Sequence, residues 1–97
     1  MHIPDTIKIL GYDYNIDYED SFNEGHEEMG RCCAPKQQIT INEKLHDEQQ
    51  ASTLLHEIIE ALNYHMEIGL EHNAIMNLEA GLYQVIKDNE LVFYEGE

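Results

Sequence analysis

A histidine and two glutamates lie close together in residues 54–62, a segment whose other residues are mostly large and apolar. His56 and Glu60 are four residues apart, so in a helix they lie one turn apart on the same edge, with Glu57 beside them. An imidazole and a carboxylate at this spacing can hold one metal ion, and the adjacent carboxylate can polarise a water molecule. The segment therefore predicts a metal-bearing helix in which Glu57 lies beside the ligand pair.

A zinc site that performs chemistry needs three protein ligands and one open position, so another element must supply the third ligand. A second helix, predicted over residues 71–88, offers His72 and Glu79 on the face directed at the first helix. If the first helix continues to Glu67, an antiparallel partner brings Glu79 level with the ligand pair. If it ends near Tyr64, the loop lets His72 reach the ion instead. Both residues are therefore candidate ligands.

The pattern of apolar residues indicates a strand region followed by two helices. Residues 1–42 are predicted to be mainly strands, because short runs within them alternate between apolar and polar side chains, and these runs predict a small antiparallel sheet of about three strands. Residues 47–66 form the predicted active-site helix, and His65 falls on the side of it opposite to His56. The short connection to the helix at 71–88 predicts an antiparallel helix pair, so the predicted fold class is α+β.

Two further segments carry structural predictions. The second helix has an apolar stripe that we expect to pack on the first helix, formed by Ile75, Leu78, Leu82, Val85 and Ile86. Residues 19–28 are acidic and contain a glycine, and we interpret them as an exposed loop. In the extended segment that follows, Gly30 permits a close approach of the backbone to a neighbouring element.

The chain is strongly acidic, since its 97 residues carry 20 Asp and Glu against 5 Lys and Arg, a formal net charge of −15. Such a surface repels nucleic-acid backbones and anionic lipids, so we expect no direct nucleic-acid binding and no membrane association. No apolar run approaches the roughly 20 residues of a membrane span, and the first five residues lack a secretory pattern. We therefore expect one cytoplasmic domain, residues 1–97, whose charge suits a basic partner protein.

The two cysteines, Cys32 and Cys33, are adjacent in the sequence. A disulfide between neighbouring residues is strained, and metal-binding cysteines are usually separated by two or more residues. We interpret this pair as reduced residues of a strand.

Three segments of the sequence resemble small phage and prophage proteins of the ImmA/IrrE-like group of minimal zinc metallopeptidases. The resemblance covers roughly residues 39–89, and the segments are residues 39–41, 48–64 and 81–89. In that group the helix carries the motif His-Glu-x-x-His, whose histidines bind zinc together with a downstream glutamate, and the first glutamate is the general base. The resemblance implies a minimal zincin-like fold in which His56 is a ligand and Glu57 is the base.

The chain departs from that motif at position 60, where Glu60 replaces the second histidine and gives an HExxE variant. His72 stands near the place of the group's acidic ligand. An exchange of these two ligands keeps a set of two histidines and one carboxylate for Zn²⁺. The resemblance thus implies a phage-encoded, zinc-binding hydrolase of peptide bonds, which acts on a peptide or protein in the cytoplasm of the host cell.

A second function class fits the same sequence. An acidic phage-like protein can mimic nucleic acid or occupy a basic groove of a host protein and inhibit it, without any catalysis. Any bound metal would then be structural and would hold the two helices together. The first interpretation requires His56 for metal binding. In the second, binding of the partner protein does not depend on His56.

Overall fold

The computed structural model describes residues 3–20 and 28–93, so most of the acidic loop predicted at residues 19–28 lies outside the described residues. Within the described ranges the chain forms four strands and then two packed helices, which confirms the predicted α+β class. The elements are β1 (Thr6–Ile9), β2 (Tyr12–Glu19), β3 (Gly30–Cys33), β4 (Gln38–Asn42), α1 (Asp47–Met66) and α2 (His72–Asp88). Neither helix has the length and apolar character that crossing a bilayer requires.

The sheet differs from the predicted three-stranded antiparallel sheet in strand number and in strand direction. Its order is β1-β2-β4-β3, and β2 runs parallel to β4 while the other neighbouring pairs are antiparallel. The prediction was wrong because an alternation of apolar and polar residues determines which face of a strand is buried. It contains no information on the direction or the order of the strands, so the central place of β4 could not be predicted.

The central strand β4 supplies much of the core beneath α1. Ile39 and Ile41 are fully buried, and they belong to one apolar cluster with Ile16 of β2 and with Leu54 and Ala61 of α1. Burying a large aliphatic side chain contributes roughly 1.5–3 kcal/mol. These contacts hold α1 on the sheet and so determine where its polar edge lies.

Gly30 allows β3 to lie close to α1, as the sequence predicted. A Cβ atom at this position would lie 2.6 Å from Cγ2 of Thr53 and 2.9 Å from the carbonyl oxygen of Thr40. Both threonines are buried, so neither can move away without disturbing its neighbours. The close approach places β3 beside Glu57 and makes the strand one wall of the candidate site.

We expect Gly30→Ala to lower the free energy of unfolding by about 1–3 kcal/mol, because the added methyl group overpacks the contact between β3 and α1. Gly81→Ala is the matched control, since an added Cβ on this helical glycine meets nothing within 4 Å. Alanine favours a helix by about 0.5–1 kcal/mol over glycine, so the control should be more stable than wild type. Urea denaturation measures both variants, and an unchanged midpoint for Gly30→Ala would contradict the close packing.

The helix α2 packs antiparallel to α1, with Lys87 next to Glu48 at one end and His72 next to Glu60 at the other. The structure buries only part of the predicted apolar stripe. Ile75 is buried, whereas three members of the stripe are more than 40% exposed: Leu78, Leu82 and Val85. The reason is that α1 is the main neighbour of α2, so the contact covers a narrow strip of the helix.

Candidate metal centre

Three side chains from the two helices converge beside the first turn of α2. His56 and Glu60 lie one turn apart on α1, and His72 is the first residue of α2. Nε2 of His56 is 3.4 Å from Oε2 of Glu60, and Nδ1 of His72 is 3.8 Å from that same oxygen. One donor atom from each residue lies within 4.8 Å of the other two donor atoms.

These separations are close to those that a single ion requires. Ligand atoms about 2.1 Å from a tetrahedral zinc ion lie about 3.4 Å from each other. The His56–Glu60 distance of 3.4 Å already matches this value, and the 3.8 Å between His72 and Glu60 needs only a small side-chain rotation. Since the side chain of His72 is 68% exposed, it is free to make that rotation. Two imidazoles and one carboxylate are also a known ligand set of catalytic zinc.

Glu79 contacts the other ring nitrogen of His56. Its Oε1 lies 3.2 Å from Nδ1, and its second carboxylate oxygen accepts a hydrogen bond from the hydroxyl of Ser52. The side chain of His56 is only 13% exposed, and its ring lies between Glu79 on one side and Glu60 on the other. Of the two candidates for the third ligand, His72 thus lies near Glu60 and the Nε2 side of His56, while Glu79 lies on the Nδ1 side of the His56 ring.

Glu57 is buried next to this group, with 5% of the residue exposed. Burial is the largest cause that raises the pKa of its carboxyl to about 8, followed by the negative charges of Glu60, Glu79 and Glu28. Without a nearby cation, Glu57 is therefore mostly a neutral acid at pH 7. A divalent ion held by the convergent donors would oppose these negative charges and favour the carboxylate.

Two clefts open beside Glu57, with volumes of about 460 Å³ and about 330 Å³. The larger one extends along β3 towards Tyr64, and the smaller one extends towards Met29 and Met76. Four residues line both clefts: Gly30, His56, Glu57 and His72. The candidate ligands and the buried carboxyl group are therefore reached from a groove that continues on both sides of them.

Cys32 and Cys33 line the larger cleft, and both are free thiols. Burial, and then the negative charges of Glu57 and Glu60, raise the pKa of Cys32 to about 12. A thiol with such a pKa stays protonated at neutral pH and is a poor nucleophile and metal ligand. This agrees with the interpretation of the pair as reduced residues of a strand.

His65 lies on the side of α1 that faces the sheet, away from the candidate site. Its Nε2 is 2.6 Å from the hydroxyl oxygen of Tyr14, and its ring stacks on Tyr12 with the ring centroids 4.3 Å apart. The helical spacing predicted this position. The same spacing offered a signal that the sequence reasoning missed, because Ser52 lies one turn before His56 on the same edge and contacts Glu79.

Comparisons of the chain with protein-family models, with curated proteins and with solved structures returned no match. Membership of the ImmA/IrrE-like group stays a prediction from the motif. Any functional assignment therefore depends on the geometry of His56, Glu57, Glu60 and His72, together with that resemblance.

Proposed function

We propose that the chain binds a divalent metal ion, with zinc as the expected ion, and hydrolyses peptide bonds. His56, Glu60 and His72 are the ligands, and Glu57 is the general base. The observation that carries this proposal is the convergence of two imidazoles and one carboxylate, with donor atoms within 4.8 Å of one another, beside a buried glutamate. The resemblance to the ImmA/IrrE-like peptidases supports the same assignment, with a histidine and a carboxylate exchanged between two ligand positions.

When bound, a divalent ion supplies Lewis acidity that lowers the pKa of water and polarises a carbonyl oxygen. Glu57 borders the groove where water and the scissile peptide bond would meet. Its carboxylate accepts a proton from the attacking water and then passes it to the nitrogen of the leaving amine. Burial of Glu57 keeps this proton away from bulk solvent during the transfer.

The strand β3 supplies a means of positioning a peptide substrate. In the described part of the chain it is an edge strand, paired with β4 on one side. An extended peptide can pair with the other side of such a strand through main-chain hydrogen bonds. Since the larger cleft follows β3 to the candidate ligands, a peptide bound in this way would pass Glu57. The charge of −15 favours substrates with basic side chains near the bond that is cut.

Elemental analysis of protein purified in the presence of zinc tests the metal site. We expect about one equivalent of zinc in the wild type and almost none in His56→Ala, because a metal site does not survive the loss of a central ligand. His46→Ala is the control, since His46 is an exposed histidine at the start of α1. Less than about one-tenth of an equivalent in the wild type would overturn the proposal.

A second candidate function, an acidic protein that binds a basic partner, is favoured by the net charge and by the exposed apolar residues of α2. Leu78, Leu82 and Val85 provide an apolar strip on an otherwise acidic protein. This function predicts capture of a host protein at low salt, release at high salt, and equal capture by wild type and His56→Ala. Loss of capture on treatment with a chelator would exclude it as an alternative to the metal-dependent function.

A further inference from the structure

We infer that Glu79 is a positioning residue and not a metal ligand: it holds the proton of His56 on Nδ1 and thereby directs the lone pair of Nε2 at Glu60 and His72. Ser52 holds Glu79 in this role. The inference rests on the proposed function, since it concerns the orientation of one proposed ligand, and it decides between the two candidates for the third ligand.

The first step concerns the carboxylate oxygens beside the two ring nitrogens of His56. A neutral imidazole has one N–H and one lone pair, and a carboxylate can only accept hydrogen bonds. Oε1 of Glu79 forms a hydrogen bond with Nδ1 of His56 at 3.2 Å, whereas Oε2 of Glu60 lies farther from Nε2, at 3.4 Å, so we assign the hydrogen to Nδ1. The lone pair then lies on Nε2, on the side of the ring where Glu60 is 3.4 Å away. Two acceptor atoms at this separation can both bind one cation.

The contacts of Glu79 carry the second step. One of its oxygens faces Nδ1 of His56, and the other accepts the hydroxyl hydrogen of Ser52, so both oxygens are engaged away from Nε2. Ser52 and His56 lie one turn apart on α1, and Glu79 reaches both from α2. The side chain of Glu79 is only 22% exposed, which restricts it to this position. A carboxylate held on the Nδ1 side of the ring can orient His56, but it does not share an ion with Nε2.

A hydrogen bond of this kind fixes the tautomer and the orientation of a metal-binding histidine. Removing such a partner typically weakens metal binding by about 10–100-fold, whereas removing a ligand nearly abolishes it. Glutamine can preserve the arrangement, because its amide oxygen accepts from Nδ1 of His56 and its amide nitrogen donates to Ser52. Alanine cannot. The pair of substitutions at Glu79 therefore separates a positioning residue from a ligand.

The test combines two measurements on four variants: Glu79→Gln, Glu79→Ala, Ser52→Ala and Asp88→Ala. Nitrogen-15 NMR of labelled imidazole in the metal-free protein reports which nitrogen of His56 carries the proton. Competition with a chromophoric chelator reports zinc affinity. Asp88→Ala is the matched control, because it removes an exposed carboxylate from the same helix. Ser52→Ala removes only a hydroxyl group and provides a second test if Glu79→Ala fails to fold.

We expect a proton on Nδ1 in wild type, Glu79→Gln and Asp88→Ala, with similar zinc affinity in all three. Glu79→Ala should distribute the proton over both nitrogens and bind zinc about 10–100-fold more weakly, and Ser52→Ala should change both readouts in the same direction by less. The inference is overturned if Nδ1 of the wild type lacks the proton, or if Glu79→Gln loses zinc as completely as His56→Ala. If the wild type binds no zinc while Glu79 still controls the Nδ1 proton, the proposed function fails and the orientation by Glu79 stands.

Discussion

Glu57→Gln is expected to make the metal-free protein more stable than wild type at neutral and mildly alkaline pH. Burial and the charges of Glu60, Glu79 and Glu28 raise the pKa of Glu57 to about 8 in the folded protein. In the unfolded chain the pKa of a glutamate is about 4.3, so the folded state binds this proton more tightly. The contribution of Glu57 to stability is therefore fully present below about pH 4 and is lost progressively as the pH rises towards 8.

Glutamine has nearly the shape of protonated glutamate and does not ionise, so the variant avoids this loss. The difference in unfolding free energy between variant and wild type should be small near pH 4 and should increase up to about pH 8. Urea denaturation at a series of pH values, with a chelator present, measures it. Glu43→Gln is the control, because it makes the same substitution at an exposed position. Parallel profiles for Glu57→Gln and wild type would contradict the burial of an ionisable carboxyl group.

The helices were predictable because their signals are local. The segment predicted at residues 47–66 is α1, and the segment predicted at 71–88 corresponds to α2, for which Glu71 is the N-terminal cap. In each case a period close to 3.6 residues can be read from neighbouring positions. The sheet was less predictable, because the pairing of β2 with β4 joins segments separated by β3 and depends on the whole fold.

The candidate site shows the same division between local and tertiary information. The pairing of His56 with Glu60 is a property of one helix, so spacing predicts it. The sequence could not separate His72 from Glu79 as the third ligand, because the end of the first helix does not decide between them. That helix runs to Met66, and both side chains reach His56 or its partner. They do so from opposite sides of one imidazole ring, which only the packing of the helices determines.

Zinc is expected to raise the unfolding temperature of the wild type. The proposed ligands come from both helices, so an ion bound to them holds α2 against α1. In the metal-free protein this contact buries a single residue of α2, Ile75. A ligand at a thousand times its dissociation constant stabilises the folded state by about 4 kcal/mol. For a domain of this size, that corresponds to an increase of roughly 15–30 °C.

The variant that decides the origin of this stabilisation is His72→Ala, because His72 is the proposed ligand on α2 and is exposed, so its removal costs little packing. We expect this variant to lose most of the zinc-dependent increase, while His46→Ala keeps it. Thermal unfolding followed by circular dichroism, with zinc and with chelator, measures both. An equal increase in wild type and His72→Ala would mean that zinc binds elsewhere on this acidic surface. No increase in either would mean that these three side chains pair only with one another, and that the helices are held together without an ion.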